Sequence, residues 1–191
     1  MYKKYILILI SLILLFSLCL TGCSETETTS GGSDSLYYGM SVLEVFECLE
    51  GEADMPLIIT DKAKSMLEEN PELFDKNNTG GLDEFTDYGL DYRTIMKNIN
   101  MYGDKLMYIP EAYVISVTED DIDGQTITEM ELMDADEKNY YVVGLTSYDG
   151  IYEDDIVECY ALPLGETSYE NIGGGTTISL VLAGSCITKL Y

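Results

Sequence analysis

The periodicity of the chain changes once, near Lys105, and that change limits the folds open to it. Before it, apolar residues recur at helical spacing. Val42, Leu43, Val45, Phe46 and Leu49 run up to Gly51, and a second stripe is capped by Thr60 or Asp61 and stopped by Pro71. A third, with Ile95, Met96, Ile99 and Tyr102, lies between Asp91 and Gly103. The second and third have an oxygen-bearing side chain where the first helical amides need an acceptor, and each of the three has a glycine or proline where the helix should stop. After Lys105, Tyr113, Ile115 and Val117 alternate with smaller or polar residues, and Asp123-Gly124 forms a hairpin signal. Thr126 to Met133, Tyr140 to Leu145, Ile156 to Leu162 and Ile178 to Leu190 follow as further strand-like segments. Short helices over 37–104 and five strands over 105–191 predict an α+β fold, the strands closing as a small barrel that hides its edges.

The first 22 residues have a different logic. Lys3 and Lys4 precede an almost unbroken apolar run from Tyr5 to Leu20, and Leu20-Thr21-Gly22-Cys23 places a cysteine after two small residues. A charged start, an apolar centre and a small-residue cut site describe a secretory signal. The cysteine directly after the cut makes it a lipoprotein signal, with Cys23 as the lipidated N-terminus of the mature chain. Ser24 to Ser35 is polar and has no apolar residue, which predicts a flexible tether over 23–36. The expected address is the extracytoplasmic face of the cell membrane, held there through the lipid.

Composition narrows the chemistry. All 35 acidic residues follow Cys23, against eight of the ten basic ones, so the mature chain carries a formal −27. Nucleic acid is excluded as an expected partner, because its recognition rests on clustered Lys/Arg meeting phosphates. Histidine is absent, which removes triads of the Ser-His-Asp and Cys-His kinds and the commonest zinc ligand. Beyond Cys19 and Cys23 the cysteines are Cys48, Cys159 and Cys186. Cys159 and Cys186 lie in late strand-like segments and are compatible with either a disulfide or buried thiols. No cofactor motif is present: Gly173-Gly174-Gly175 has no lysine after it, as a phosphate-binding loop requires.

Two sets of residues carry candidate chemistry. Asp75, Asn77 and Thr79 alternate, with Gly80 at the sixth position and Leu82 at the eighth, which resembles a calcium loop, with Asp83 beside it as a further oxygen donor. The twelfth position, where such a loop needs a bidentate glutamate, is Thr86. The second set is drawn from sixteen tyrosines in a chain without tryptophan. Tyr113, Tyr140, Tyr141 and Tyr160 fall on expected strands and form a candidate aromatic platform for a glycan or peptide, with core filling as the competing role.

Tyr92-Arg93-Thr94-Ile95-Met96-Lys97-Asn98, then Tyr102-Gly103-Asp104-Lys105-Leu106 and a strand beginning near Ala112, resembles the opening of bacterial OB-fold lipoproteins of the tRNA-anti-like family. Ile151 to Val157 leading to Tyr160 is similar to that family's entry into its fourth strand, with Asp154 where a glycine often precedes the aspartate. Tyr169-Glu170 and Gly173-Gly174 before the last strand also fit. The resemblance spans Leu90 to the end and implies an OB-like five-stranded barrel, with no active site to transfer. The expectation is a lipid-anchored binding module of the cell envelope, not an enzyme. Its partners are the membrane, through the anchor, and an envelope peptide, glycan or protein. The alternative is an acidic calcium-binding or cation-dependent adhesion lipoprotein.

Overall fold

In the computed structural model, which describes residues 39–50, 56–122, 125–170 and 174–191, the change of periodicity near Lys105 is a change from helix to sheet. The strands are β1 (Met107–Ile122), β2 (Gln125–Met133), β3 (Asn139–Gly144), β4 (Ile156–Glu170) and β5 (Thr176–Lys189). They join in the order β1-β2-β3-β5-β4, and β4 pairs back onto β1, so the sheet closes into a ring. Every pairing is antiparallel except that of β3 with β5. The molecule is a mixed α+β fold, mostly strand, with few and short helices. The signal-like segment 1–22, Cys23, the tether to residue 36, Asp123-Gly124 and Gly173 lie outside the described residues.

β1 closes the ring because it serves two partners in succession. Met107 to Tyr113 pairs with β4, and Tyr113 to Ile122 pairs with β2. Register shifts between Ile109 and Ala112 and between Val114 and Ser116 bend the strand from one partner to the other. Pro110 sits in the first of these irregularities, and Pro163 sits at another on β4, before Gly165. Proline lacks the ladder N–H and is tolerated at such points. Both strands therefore run further than their alternation predicts: β1 starts at Met107 rather than near Ala112, and β4 continues past Leu162 to Glu170.

The inward-facing residues fill the ring. Ile109 and Val114, Met130 and Leu132, Val142, Val157, Leu180 and Leu182 form one apolar cluster. Where β3 and β5 begin, Leu90 and Ile95, from the start of α3 (Tyr92–Lys97) and the turn before it, join that cluster. Tyr92 donates to the Ile178 carbonyl there at 3.3 Å and meets Tyr140 edge-on at 5.5 Å. Where the β3–β5 pairing ends, Tyr148 enters from the β3–β4 loop together with Ile151. Gly144 and Gly184 make room for it: a Cβ at either would stand 2.4 Å or 2.6 Å from a Tyr148 atom. The loop is held by Glu119 Oε1, which accepts from the Ser147 hydroxyl at 2.8 Å and the Tyr148 amide at 3.2 Å.

A helical layer covers the outside of β4 and β5, where Leu162, Leu164, Val181 and Ala183 are fully buried. Residues 57–60 run along β4: the Thr60 amide donates to the Leu164 carbonyl at 3.0 Å, and a Cβ on Gly165 would lie 2.5 Å from the Ile58 carbonyl oxygen. Thr60 then caps α2 (Asp61–Glu69), accepting from the Ala63 amide. Ser41 and Glu44 form a reciprocal capping box on α1 (Val42–Glu47), a type of cap worth about 1 kcal/mol. Phe46 and Phe74 are the largest fully buried side chains of this layer. Lys64 bridges the helices, reaching Glu50 at 2.7 Å and Glu47 at 3.1 Å. Ser35–Tyr191 forms one contact unit that holds this layer and the ring together. Among the described residues no helix is long and apolar enough to cross a membrane.

Candidate functional site

The Asp75–Asp83 loop lies against the C-terminal stretch of β5, past the residues that pair with β3. Beyond Ala183 the β3 side of β5 has no strand partner among the described residues. There Asn77 substitutes for one: its Nδ2 donates to the Ile187 carbonyl at 3.1 Å and its Oδ1 accepts from the Ile187 amide at 3.0 Å. The Asn78 amide donates to the Ser185 carbonyl at 3.2 Å, extending the mimicry by one more bond. Of the other expected cation donors, Asp83 accepts from the Tyr88 hydroxyl, Thr79 is exposed, and Asp75 Oδ1 is buried without a hydrogen-bond partner. Among the described residues no three His, Cys, Asp or Glu side chains group as a metal site would require. The loop's visible work is to seal a strand edge.

The four platform tyrosines do not share a face. Tyr140 points inward and is 4% exposed; its hydroxyl donates to Asp134 Oδ2 at 2.8 Å. Burial, and then Asp134, push this phenol far above the usual range. Tyr140 stands opposite Leu132 and Leu180 and so belongs to the core. By the pleat, its neighbour Tyr141 faces outward beside Glu131, its partner on β2, and Glu129. Burial raises both glutamates, an effect opposed at Glu129 by the hydrogen bond from Tyr141. Tyr113 also faces outward and donates to Asp154.

Tyr160 is the outward-facing platform residue that packs in a ring cluster. It stands opposite Tyr108 across the β1–β4 pairing, with ring centroids 4.6 Å apart and planes tilted by 36°. Tyr88, from the loop ahead of α3, meets Tyr108 edge-on at 5.5 Å. Two carboxylates anchor the trio: Asp83 accepts from Tyr88, and Glu158 accepts from Tyr108 at 3.0 Å. Burial, and then the Glu158 hydrogen bond, push Tyr108 up to about 12, and Asp83 raises Tyr88 further. Tyr88 and Tyr108 therefore remain protonated donors across the physiological range. Tyr88 is 56% exposed and Tyr108 and Tyr160 half-buried, so their rings present an aromatic surface outside the filled ring of strands.

Tyr88 and Tyr108 are the members that the sequence pattern does not identify. Tyr108 lies in the part of β1 that Pro110 disguises, and Tyr88 is brought to Tyr108 by a loop outside the strands. Adjacent to this face, Cys186 stands opposite Tyr160 while Cys159 stands opposite Ile187. The two cysteines are thus on opposite faces of the sheet, and both are free thiols. No family model, curated protein or solved structure matches the chain.

Proposed function

We propose that this protein is a lipid-anchored binding module of the bacterial cell envelope. In this reading the Tyr88–Tyr108–Tyr160 face takes up a glycan, and no covalent chemistry follows. The observation that carries it is the position of the aromatic cluster. Three rings, two of them tied to carboxylates, stand outside a ring of strands whose interior is already filled by its own side chains. Tyrosine faces stack on the apolar faces of sugars, while carboxylate oxygens accept from hydroxyls. The absence of histidine from the whole chain favours binding over catalysis.

The same reading takes the ring as an OB fold of the tRNA-anti-like lipoprotein kind. The order β1-β2-β3-β5-β4 and the two-partner β1 support it. So does Asp154, which occupies the position where the resemblance expects glycine and has a left-handed φ of 74°. Anchoring rests on Leu20-Thr21-Gly22-Cys23, with the polar tether lifting an acidic body away from anionic head groups.

Two experiments divide these claims. Cys23→Ala should abolish incorporation of labelled fatty acid and release the protein from the membrane fraction; unchanged labelling refutes the anchor. Tyr88→Ala and Tyr160→Ala should each reduce retention on immobilised cell-wall glycan by about tenfold, the scale of one lost stacking contact. Retention equal to the unaltered protein in both variants refutes the glycan face.

A further inference from the structure

A second surface lies at the end of the ring that α3 closes, and its charge departs from that of the molecule. Three of the eight Lys/Arg that follow Cys23 line a single open groove of about 800 Å³ there: Arg93, Lys97 and Lys138. Three other cations are in ion pairs, Lys62 with Asp104, Lys64 with Glu47 and Glu50, and Lys189 with Asp155, while Lys138 donates to the Asp136 carbonyl at 2.9 Å. Arg93 and Lys97 are exposed, one helical turn apart on α3, and have no side-chain hydrogen bond or ion pair within 4 Å among the described residues. The wall between the cations is apolar, formed by Tyr92, Met96 and Ile178, the last 50% exposed. Asp136 and Glu137 also line the groove, and Glu166, Asp134 and Asp91 lie close enough to act on Tyr92, Tyr140 or Arg93.

We propose that this groove binds an acidic peptide segment of a partner protein. Its carboxylates meet Arg93, Lys97 and Lys138, and an apolar side chain lies against Tyr92, Met96 and Ile178. Charge complementarity selects the occupant. In a mature chain of formal charge −27, the immediate lining of three cations and two anions is net positive, although Asp91, Asp134 and Glu166 flank it. The two anions also set the class. A dense polyanion would place charge against Asp136 and Glu137, whereas a peptide spaces its carboxylates and supplies the apolar contact. The volume suits a few residues of extended chain. This proposal stands apart from the tyrosine face, and either can fail without the other.

The test is fluorescence anisotropy of a labelled peptide alternating Glu with Leu and Gly, titrated with the full-length protein in detergent at low ionic strength. Saturable binding should weaken by about tenfold or more in Arg93→Glu/Lys97→Glu and in Ile178→Asp. It should be unchanged in Lys76→Glu, a charge reversal on the β5-capping loop. Replacing each Glu of the peptide by Gln should abolish it. Far-UV circular dichroism and melting temperature check that the variants fold. Equal binding of the Gln peptide, full affinity in the double reversal, or no binding at millimolar peptide would each overturn the proposal. Displacement by polyphosphate at lower concentration than by unlabelled peptide would overturn it in favour of unspecific charge attraction.

Discussion

Tyr148 shows how much of this fold rests on single side chains. It is 2% exposed, it sits against two glycines that leave it space, and its hydroxyl has no hydrogen-bond partner among the described residues. A buried, unpaired hydroxyl costs about 1–3 kcal/mol, whereas the ring contributes packing. Tyr148→Phe should therefore hold or raise the urea midpoint, while Gly184→Ala should lower stability by about 1–3 kcal/mol through overpacking. A large loss in the Phe variant would mean that the hydroxyl is engaged. Asp154 tests backbone instead of packing. Its φ of 74° is costly for any residue with a Cβ, and its carboxylate holds Tyr113. Asp154→Ala loses the bond and keeps the strain, so it should cost about 1–2 kcal/mol, with Asp154→Gly clearly less harmful in the same unfolding experiment.

At the level of elements, caps and breakers were readable and register was not. Thr60 and Asp91 cap the helices that their spacing predicts, because capping is settled within one turn of chain. Pro110 and Pro163 obscured the true lengths of β1 and β4, because a bulge is defined by its partner strand and leaves no periodic trace. Tyr140 and Tyr141 show the same limit: adjacent strand residues must face opposite ways, and only the pairing with Leu132 and Leu180 decides which is inside. The Asp75–Asp83 loop resembled a cation site because the residues that ligate calcium are also those that mimic a strand. Asn77 does the second through both ends of its amide. Asn77→Ala should lower stability by about 1–3 kcal/mol and remove protection of the Ile187 amide in hydrogen exchange. Intact protection in that variant would mean that the loop does not hold the edge.

For the molecule as a whole, the acidity predicts an unusual pH profile. Burial raises Glu129 and Glu131 above their ordinary value of 4.5, so the folded state binds their protons more readily than the unfolded one. Their contribution is full below 4.5 and is lost as pH rises through the raised folded values. Asp91, Asp104 and Asp155 are lowered from 3.8 by the Thr94 amide, Lys62 and Lys189 respectively, so their contribution is present above 3.8 and lost as pH falls through the lowered values. Melting temperature should thus rise on acidification from neutrality, pass a maximum near the carboxylate range and fall below it. Glu129→Gln/Glu131→Gln should flatten the neutral-side limb. Added salt at neutral pH should also raise the melting temperature by screening the negative charge. A profile that falls steadily from pH 7 would contradict this assignment.

The most direct test of the central claim, that the outer tyrosine face is where this module meets its ligand, is a chemical-shift titration. Protein with carbon-13 in its tyrosine rings would be titrated with solubilised cell-wall glycan. The account predicts saturable shifts at Tyr88, Tyr108 and Tyr160, with the buried rings of Tyr140 and Tyr148 unmoved. Shifts confined to other tyrosines, or none at millimolar glycan, would contradict it.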